Sequence, residues 1–160
     1  MIFITLGSQK FQFNRLLEEV DKLISEGIIK DEVFAQIGYS DHQPKKYKYK
    51  DFLDRDEFTE IMEKSDLVIT HGGTGAIIGA VKRNKKVIAI PRLAKYGEHV
   101  DDHQIQLIKQ FDDLGIIEPC YDVTKLSDAF LSCAIKQYVP YISNTITIIK
   151  SIEKFIEEKV

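Results

Sequence analysis

The fold is decided by Asp66-Leu67-Val68-Ile69-Thr70-His71-Gly72-Gly73-Thr74-Gly75, where an apolar run meets a Gly-rich turn. The apolar run is typical of a strand that is buried on both faces. Three glycines in four positions allow a tight turn and a close approach of the backbone to a ligand. Residues 76–83 predict a helix, whose start would present unpaired N–H groups and a positive dipole end. This junction favours the binding of a phosphate group.

Short apolar runs alternate with helix-period segments on both sides of this junction. The predicted strands are 2–6, 33–37, 66–70 and 87–90, with a weaker candidate at 47–52 and a last short strand starting at Ile116-Ile117. The predicted helices are 16–24, 57–64, 76–83, one carrying Ile105, Ile108 and Phe111, and two that finish the chain, the second marked by Ile142, Ile146, Ile149, Ile152 and Ile156. This alternation predicts a single Rossmann-like α/β domain over residues 1–160, with a parallel sheet and helices on both faces.

In such a fold the ligand lies beyond the carboxyl ends of the strands. Three loops are predicted at that edge, over residues 7–13, 71–75 and 91–104. In the first of them, Gly7 permits a sharp turn and Ser8 offers a hydroxyl donor to a phosphate or to an acceptor substrate. A plain loop explains both residues nearly as well.

The composition excludes several classes of protein. A net charge of -3 and a pI near 5.8 lack the positive charge that is typical of nucleic-acid-binding proteins. No apolar run approaches the roughly 20 residues of a membrane helix, and the N-terminus lacks the basic region and cleavage site of a signal peptide. Cys120 and Cys133 have no metal or redox spacing, so we expect two buried thiols in a cytoplasmic protein.

The Gly-rich turn matches neither common phosphate-binding motif. No Lys-Ser or Lys-Thr pair follows it, which excludes GxxxxGK[ST], and Ile78 stands where the third glycine of GxGxxG belongs. A tight turn without a ligand is one interpretation. We favour a ligand site, because a histidine before two glycines is more than such a turn requires, and the Thr74 hydroxyl would add a donor.

The loop after Ile90 is dense in hydrogen-bonding side chains. Those nearest the next helix are Glu98, His99, Asp102, His103 and Gln104. Carboxylate and carboxamide groups suit sugar hydroxyls, since they pair with adjacent donors and acceptors. A solvated helix start explains the same residues. His99 and His103 also have the i, i+4 spacing of a metal site, with Asp102 or Glu98 as third ligand, but no HExxH context supports a metal.

The segment Lys45-Lys46-Tyr47-Lys48-Tyr49-Lys50 interleaves basic and aromatic side chains. Contact with nucleic acid or with membrane head groups is one interpretation. We favour an edge strand with a lysine face, because lysines at a sheet edge discourage aggregation.

Together these motifs resemble the C-terminal, donor-binding half of glycosyltransferase-B enzymes. The resemblance spans essentially the whole chain and rests on residues 3–8, on 69–75, and on 90–92 with 98–104. The chain is most similar to the soluble subunit of two-component bacterial polysaccharide transferases. It is also similar to the soluble subunit of the eukaryotic transferase that adds the second N-acetylglucosamine to dolichol-linked sugar.

The resemblance implies an inverting, metal-independent hexosyl transfer from a UDP-sugar, without a cofactor, to a sugar attached through diphosphate to a membrane lipid. It assigns the diphosphate to Gly72, Gly73, Thr74 and Gly75, the donor sugar to Asp102, His103 and Gln104, and the neighbourhood of the uracil to Gly38. In bacterial capsule and exopolysaccharide systems of this type the transfer is β-1,4-galactosylation of lipid-linked glucose. UDP-galactose is therefore the expected donor.

The resemblance also implies a partner. Glycosyltransferase-B enzymes react in the cleft between two Rossmann-like domains, and the N-terminal one holds the acceptor and usually the catalytic base. A membrane-anchored subunit is thus expected to supply the acceptor site, to recruit this chain to the inner face of the membrane and to exclude water on closure. Within this chain, only His71 and His103 are weak candidates for the base.

One position departs from the family pattern. Many relatives carry a ribose-binding glutamate on the helix after the Gly-rich turn, and counting from Gly73 that position is Gly79 here. This departure favours a non-catalytic nucleotide-binding or regulatory module, whereas the run from Asp102 to Gln104 favours the transferase. A third alternative, an unrelated enzyme such as a small dehydrogenase, is opposed by the absence of GxGxxG with a downstream acidic residue.

Overall fold

A computed structural model describes residues 1–159, in which strands and helices alternate as predicted. The strands are β1 (Ile2–Thr5), β2 (Val33–Gln36), β3 (Lys48–Lys50), β4 (Leu67–His71), β5 (Lys86–Ile90) and β6 (Glu118–Pro119). The helices are α1 (Asn14–Ser25), α2 (Arg55–Lys64), α3 (Thr74–Val81), α4 (His103–Asp113), α5 (Leu126–Ile135) and α6 (Thr145–Lys159).

The strands form one parallel sheet in the order β3-β2-β1-β4-β5-β6. At its centre Ile4 of β1 lies beside Ala35 of β2 and Ile69 of β4. The chain runs outward from β1 through β2 to β3 and then returns to β4, so the order reverses between β1 and β4. In open α/β sheets the ligand crevice lies at this reversal, beyond the carboxyl ends of the strands.

Helices cover both faces of the sheet, as the sequence predicts. Ile4 of β1 packs in the cluster that α1 covers with Leu16 and Val20. Its neighbour Phe3 points to the other face and packs in the cluster that includes Ile77 of α3. Because neighbouring side chains of a strand point to opposite faces, burial on both faces favours apolar residues along the whole strand.

Helix α3 begins earlier than predicted. His71 is the last residue of β4, and the helix already includes Thr74 and Gly75, which the sequence analysis placed in the turn. Gly73 has the extended conformation of an N-cap residue, so only two residues separate the strand from the helix. The N-terminus of α3 therefore lies directly at the end of β4.

The last strand begins two residues later than predicted. The amide of Ile116 donates to the carbonyl of Phe111 at 3.4 Å and so closes α4. Ile117 is fully buried ahead of the strand. The apolar pair at 116–117 thus marks packing in the core cluster of Phe3 and Ile77 rather than strand pairing.

Strand β3 forms an edge of the sheet, as the lysine-rich segment predicts. Lys48 and Lys50 are exposed and Tyr49 is half-buried, and Lys50 pairs with Glu57 of α2. Charged side chains at an edge oppose pairing with another chain. The predicted lysine face is confirmed.

Helix α6 projects its side chains into solvent. Every side chain from 145 to 158 is exposed, including apolar Ile146, Ile149, Ile152 and Ile156, which are 48–68% exposed. Ile142, predicted inside this helix, precedes it. Within residues 1–159, no helix is long and apolar enough to cross a bilayer. The two cysteines are buried and free, as predicted.

Candidate functional site

The loops after β1 and β4 meet around the imidazole of His71. Gly7 has φ +71°, and a Cβ on it would lie 2.8 Å from His71 Nε2. A Cβ on Gly73 would overlap the same ring. The sequence predicts a sharp turn at Gly7 and a close approach of the backbone to a ligand at Gly73. The structure adds a second reason for both glycines, because both make room for His71. Nε2 faces the space between them.

The turn amides are not all available to a ligand. The amide of Gly72 donates to Oε1 of Gln104 at 3.0 Å, so the prediction that Gly72 contributes a free N–H is wrong. Within residues 1–159, the amides of Gly73, Thr74 and Gly75 have no acceptor. Thr74 and Gly75 are exposed at the N-terminus of α3. Three unpaired donors and the positive dipole end thus lie at the sheet reversal, and two of the donors are on exposed residues.

The side chain of Gln104 is used inside the protein. It is 5% exposed. Its Oε1 accepts from the amides of Gly72 and Arg92, each at 3.0 Å, and its Nε2 lies 3.1 Å from His71 Nδ1. This geometry favours a positioning role and corrects the expectation that Gln104 binds the donor sugar.

Glu98 also differs from the prediction, because it is 1% exposed and paired within the protein. Arg15 of α1 binds both its carboxylate oxygens, at 2.5 Å and 3.0 Å, and Oε2 accepts from the amide of Leu93 at 2.9 Å. Glu98 therefore holds the loop after β5 against α1 and is not exposed to a substrate.

Asp102 and His103 are exposed at the start of α4, on the side expected to meet a ligand. Oδ1 of Asp102 accepts from the amide of Ala94 at 2.8 Å. His99 is half-buried, with Nδ1 3.1 Å from Asp101. No cluster of three His, Cys, Asp or Glu side chains with metal-binding geometry occurs in the described part of the chain.

Arg92, which the sequence indicates only as part of the motif at 90–92, holds the first loop in place. Its guanidinium is buried and donates to the carbonyls of Leu6, Phe11 and Gln12 at 2.6, 3.2 and 3.0 Å. Burial lowers the pKa of Arg92 to about 10, opposed by the charge of Glu98. Exposed Ser8 lies within the loop that Arg92 holds. Apart from that motif, the sequence signal for Arg92 is a charged residue two positions after a buried strand.

His71 is neutral at physiological pH. It is 8% exposed, and burial, reinforced by the positive charge of Arg92, lowers its pKa to about 4. His99 acts in the same direction. A neutral imidazole carries one N–H, so one ring nitrogen donates and the other accepts.

Gly38 follows β2 beside the first loop. It has φ +59°, its amide donates to the carbonyl of Asp51 at 2.9 Å, and a Cβ on it would lie 3.1 Å from the Gly7 carbonyl. Tyr39 and Phe52 form an edge-to-face pair here, with ring centroids 5.2 Å apart, and are 47% and 46% exposed. Sequence reasoning missed this exposed aromatic pair, because its residues come from two different loops.

A cavity of about 490 Å³ lies at the opposite, amino-terminal end of the strands. Both of its main charged groups near the strands are paired within the protein: the Met1 ammonium with Asp66 at 2.7 Å, and Lys86 Nζ with the carbonyl of Cys133 at 2.7 Å. It therefore offers a ligand less than the unpaired amides do at the carboxyl edge.

Known proteins resemble this chain in sequence and in fold. Residues 1–158 match the glycosyltransferase family 28 C-terminal domain. The UDP-N-acetylglucosamine transferase subunit ALG13 of Candida glabrata is 32% identical over 83 residues, 51% of this chain and 40% of that protein. The Mus musculus subunit of the same name is 25% identical over 125 residues, 74% of this chain and 10% of that protein. An NMR solution structure of ALG13 has a TM-score of 0.59 at 20% identity, covering 94% of this chain and 93% of that one.

The chain spans less than half the length of these two curated relatives. At this identity the solved structure shows the fold alone. The family match shows more than the fold, because it covers almost every residue and includes both the Gly-rich turn and the segment 98–104. This chain belongs to the glycosyltransferase family 28 C-terminal domain family, the C-terminal half of the glycosyltransferase-B fold.

Proposed function

We propose that the chain is the UDP-sugar-binding subunit of a two-component inverting glycosyltransferase. One observation carries this proposal. The unpaired amides of residues 73–75 lie at the start of α3 beside His71, at the point where the sheet order reverses. A diphosphate is the ligand that satisfies three backbone donors at a helix N-terminus.

The same amides suit the chemistry of transfer. The acceptor hydroxyl forms a bond to the anomeric carbon, the bond from that carbon to the diphosphate breaks, and negative charge develops on UDP. Preorganised N–H groups and a helix dipole stabilise such charge without a metal ion. The Thr74 hydroxyl, exposed at the same helix start, is a further donor to the phosphates.

We assign the remaining substrate contacts to exposed side chains at the same carboxyl edge of the sheet. Asp102 and His103 face solvent at the start of α4 and suit the sugar hydroxyls. The exposed rings of Tyr39 and Phe52, next to Gly38, offer an aromatic surface for the uracil. We assign the loop of Gly7 and Ser8 to the acceptor side or to the phosphates, because Ser8 is exposed and carries a hydroxyl donor.

His71 is unsuited to the role of catalytic base, because it is buried and its pKa of about 4 makes it a weak proton acceptor. His103 is exposed and remains a candidate in this chain. We propose that the base and the lipid-diphosphate-linked acceptor are held by a membrane-anchored partner. The exposed isoleucines of α6 provide an apolar face for such a partner and would recruit this chain to the cytoplasmic face of the membrane.

The donor is proposed to be a UDP-hexose, with UDP-galactose first and UDP-N-acetylglucosamine as the competitor suggested by the names of the relatives. A non-catalytic nucleotide-binding module is the second candidate, favoured by Gly79 at the ribose position. A transferase with its partner hydrolyses or transfers the sugar, whereas a binding module leaves the UDP-sugar intact.

Isothermal titration calorimetry with UDP and with UDP-galactose, UDP-glucose and UDP-N-acetylglucosamine tests the proposal. We expect binding that EDTA does not change. Binding that disappears with EDTA would contradict a metal-independent site. No heat with any of these ligands, alone or with the partner present, would overturn the donor-binding role.

A further inference from the structure

The orientation of the Gln104 carboxamide is fixed by its surroundings. Two backbone amides, from Gly72 and Arg92, each approach one atom of this group at 3.0 Å. Both amides are donors, so this atom must be the carbonyl oxygen, because the reversed orientation would set an NH₂ group against two N–H groups. The NH₂ group of Gln104 must then face Nδ1 of His71, at 3.1 Å.

This orientation determines where His71 carries its proton. The NH₂ group can only donate, so Nδ1 of His71 must accept and be unprotonated. The single proton of the neutral ring is then on Nε2. Nε2 faces the space beside Gly7 and Gly73, since a Cβ on either glycine would lie 2.8 Å from it. No residue from 1 to 159 accepts a hydrogen bond from Nε2.

We propose that Gln104 is a positioning residue that holds the proton of His71 on Nε2 and so aims an N–H at the phosphate site. A second proton on Nδ1 would place N–H against N–H. Burial and the charge of Arg92, with a smaller contribution from His99, also disfavour the imidazolium form. The position of the proton follows from the hydrogen bonds alone, whereas its contact with a phosphate rests on the proposed function.

The substitution Gln104→Glu tests the orienting effect of Gln104 apart from the effects of burial and nearby charge on His71. A glutamate keeps an oxygen for the amides of Gly72 and Arg92 but presents a second oxygen to His71 Nδ1. The proton of His71 must then move to Nδ1, or the ring must take a second one, with a pKa that rises from about 4 toward or above 6.5. Gln106→Glu is the matched control, because Gln106 is exposed on the same helix.

Long-range ¹H–¹⁵N NMR spectra of the histidine rings measure the result directly, with His71→Gln used for assignment among the four histidines. In the unliganded wild type at pH 7 we expect His71 as the Nε2–H form. In Gln104→Glu we expect the Nδ1–H or imidazolium pattern, with Gln106→Glu unchanged. If Nε2 loses its proton in Gln104→Glu, UDP affinity should fall about tenfold, because one hydrogen bond to a charged group is lost.

The outcomes are distinguishable from those of the proposed function. An Nδ1–H form in the wild type, or a His71 signal unaltered in a folded Gln104→Glu, overturns the inference. If Gln104→Glu does not fold, the wild-type spectrum alone still decides the position of the proton. A wild-type Nε2–H form in a protein that does not bind UDP would refute the nucleotide site and leave the positioning of the proton intact.

Discussion

Arg15 Nε lies 2.5 Å from Oε1 of Glu98, and this contact joins helix α1 to the loop after β5. The two residues are 83 positions apart in sequence. The carboxylate is buried and the guanidinium is only partly exposed, stacked over the ring of Tyr96 at 4.7 Å. The pair therefore fixes the position of Glu98, and with it the start of the segment 98–104, relative to α1.

Removing this cation should destabilise the fold. Arg15→Leu leaves a buried carboxylate with Arg92 as its remaining charged neighbour, and we expect a loss of about 2–3 kcal/mol in the free energy of unfolding. Urea unfolding measures it. Arg55→Leu, at the exposed start of α2, is the control and should change stability little. Equal losses in both variants would show that the Arg15–Glu98 pair adds nothing specific.

The neutral state of His71 makes stability depend on pH. Its pKa is about 4 in the folded protein and about 6.5 in the unfolded chain, so the unfolded chain binds more protons between these values. The contribution of His71 to the free energy of unfolding is therefore fully present above pH 6.5. It is lost as the pH falls toward 4, by roughly 3 kcal/mol over the whole window. His71→Gln should lack this contribution. Urea unfolding at pH 7 and pH 4.5 compares the two proteins, and parallel pH slopes would refute the assignment.

Gly73 and Gly75 should respond differently to the same substitution. A Cβ on Gly73 overlaps the His71 ring, whereas a Cβ on Gly75 meets nothing within 4 Å. We expect Gly73→Ala to cost about 2 kcal/mol and to abolish UDP binding by displacing His71. Gly75→Ala should be as stable as the wild type or up to about 1 kcal/mol more stable, because alanine favours a helix. Thermal unfolding separates the two, and equal melting temperatures would contradict the close packing at Gly73.

The predictable and unpredictable parts of this site differ in physical origin. Continuous apolar strands and helical periodicity identified the sheet, its helices and the Gly-rich junction between β4 and α3, because these patterns are local. The turn itself is shorter than predicted and consists of Gly72 and Gly73. The roles of Glu98 and Gln104 were not predictable. A carboxylate that binds a sugar and one that binds Arg15 look identical in sequence, and only the approach of α1 to the loop distinguishes them. The role of Arg92 was not predictable either, because a buried arginine is rare and its three acceptors are backbone carbonyls without a sequence signature.

The missing ribose-binding acid can be restored. Gly79 lies one turn after Gly75 on the same face of α3, and a Cβ on it would meet open space. We expect Gly79→Glu to tighten UDP binding about tenfold, the effect of one charge-assisted hydrogen bond to the ribose. Gly79→Ala controls for the gain in helix propensity. Unchanged affinity in Gly79→Glu, measured by calorimetry, would show that the ribose does not lie over this face of α3.

The apolar face of α6 should matter for association and not for folding. Ile149 and Ile152 are 48% and 53% exposed, so the double substitution Ile149→Glu with Ile152→Glu should change the free energy of unfolding by less than about 0.5 kcal/mol. The same change should remove binding to a co-expressed acceptor subunit, because two charges would be buried in an apolar interface. Ser151→Glu adds charge on the opposite face of the helix and should leave binding intact. Co-purification from membranes measures association, and a double variant that still binds would place the partner on another surface.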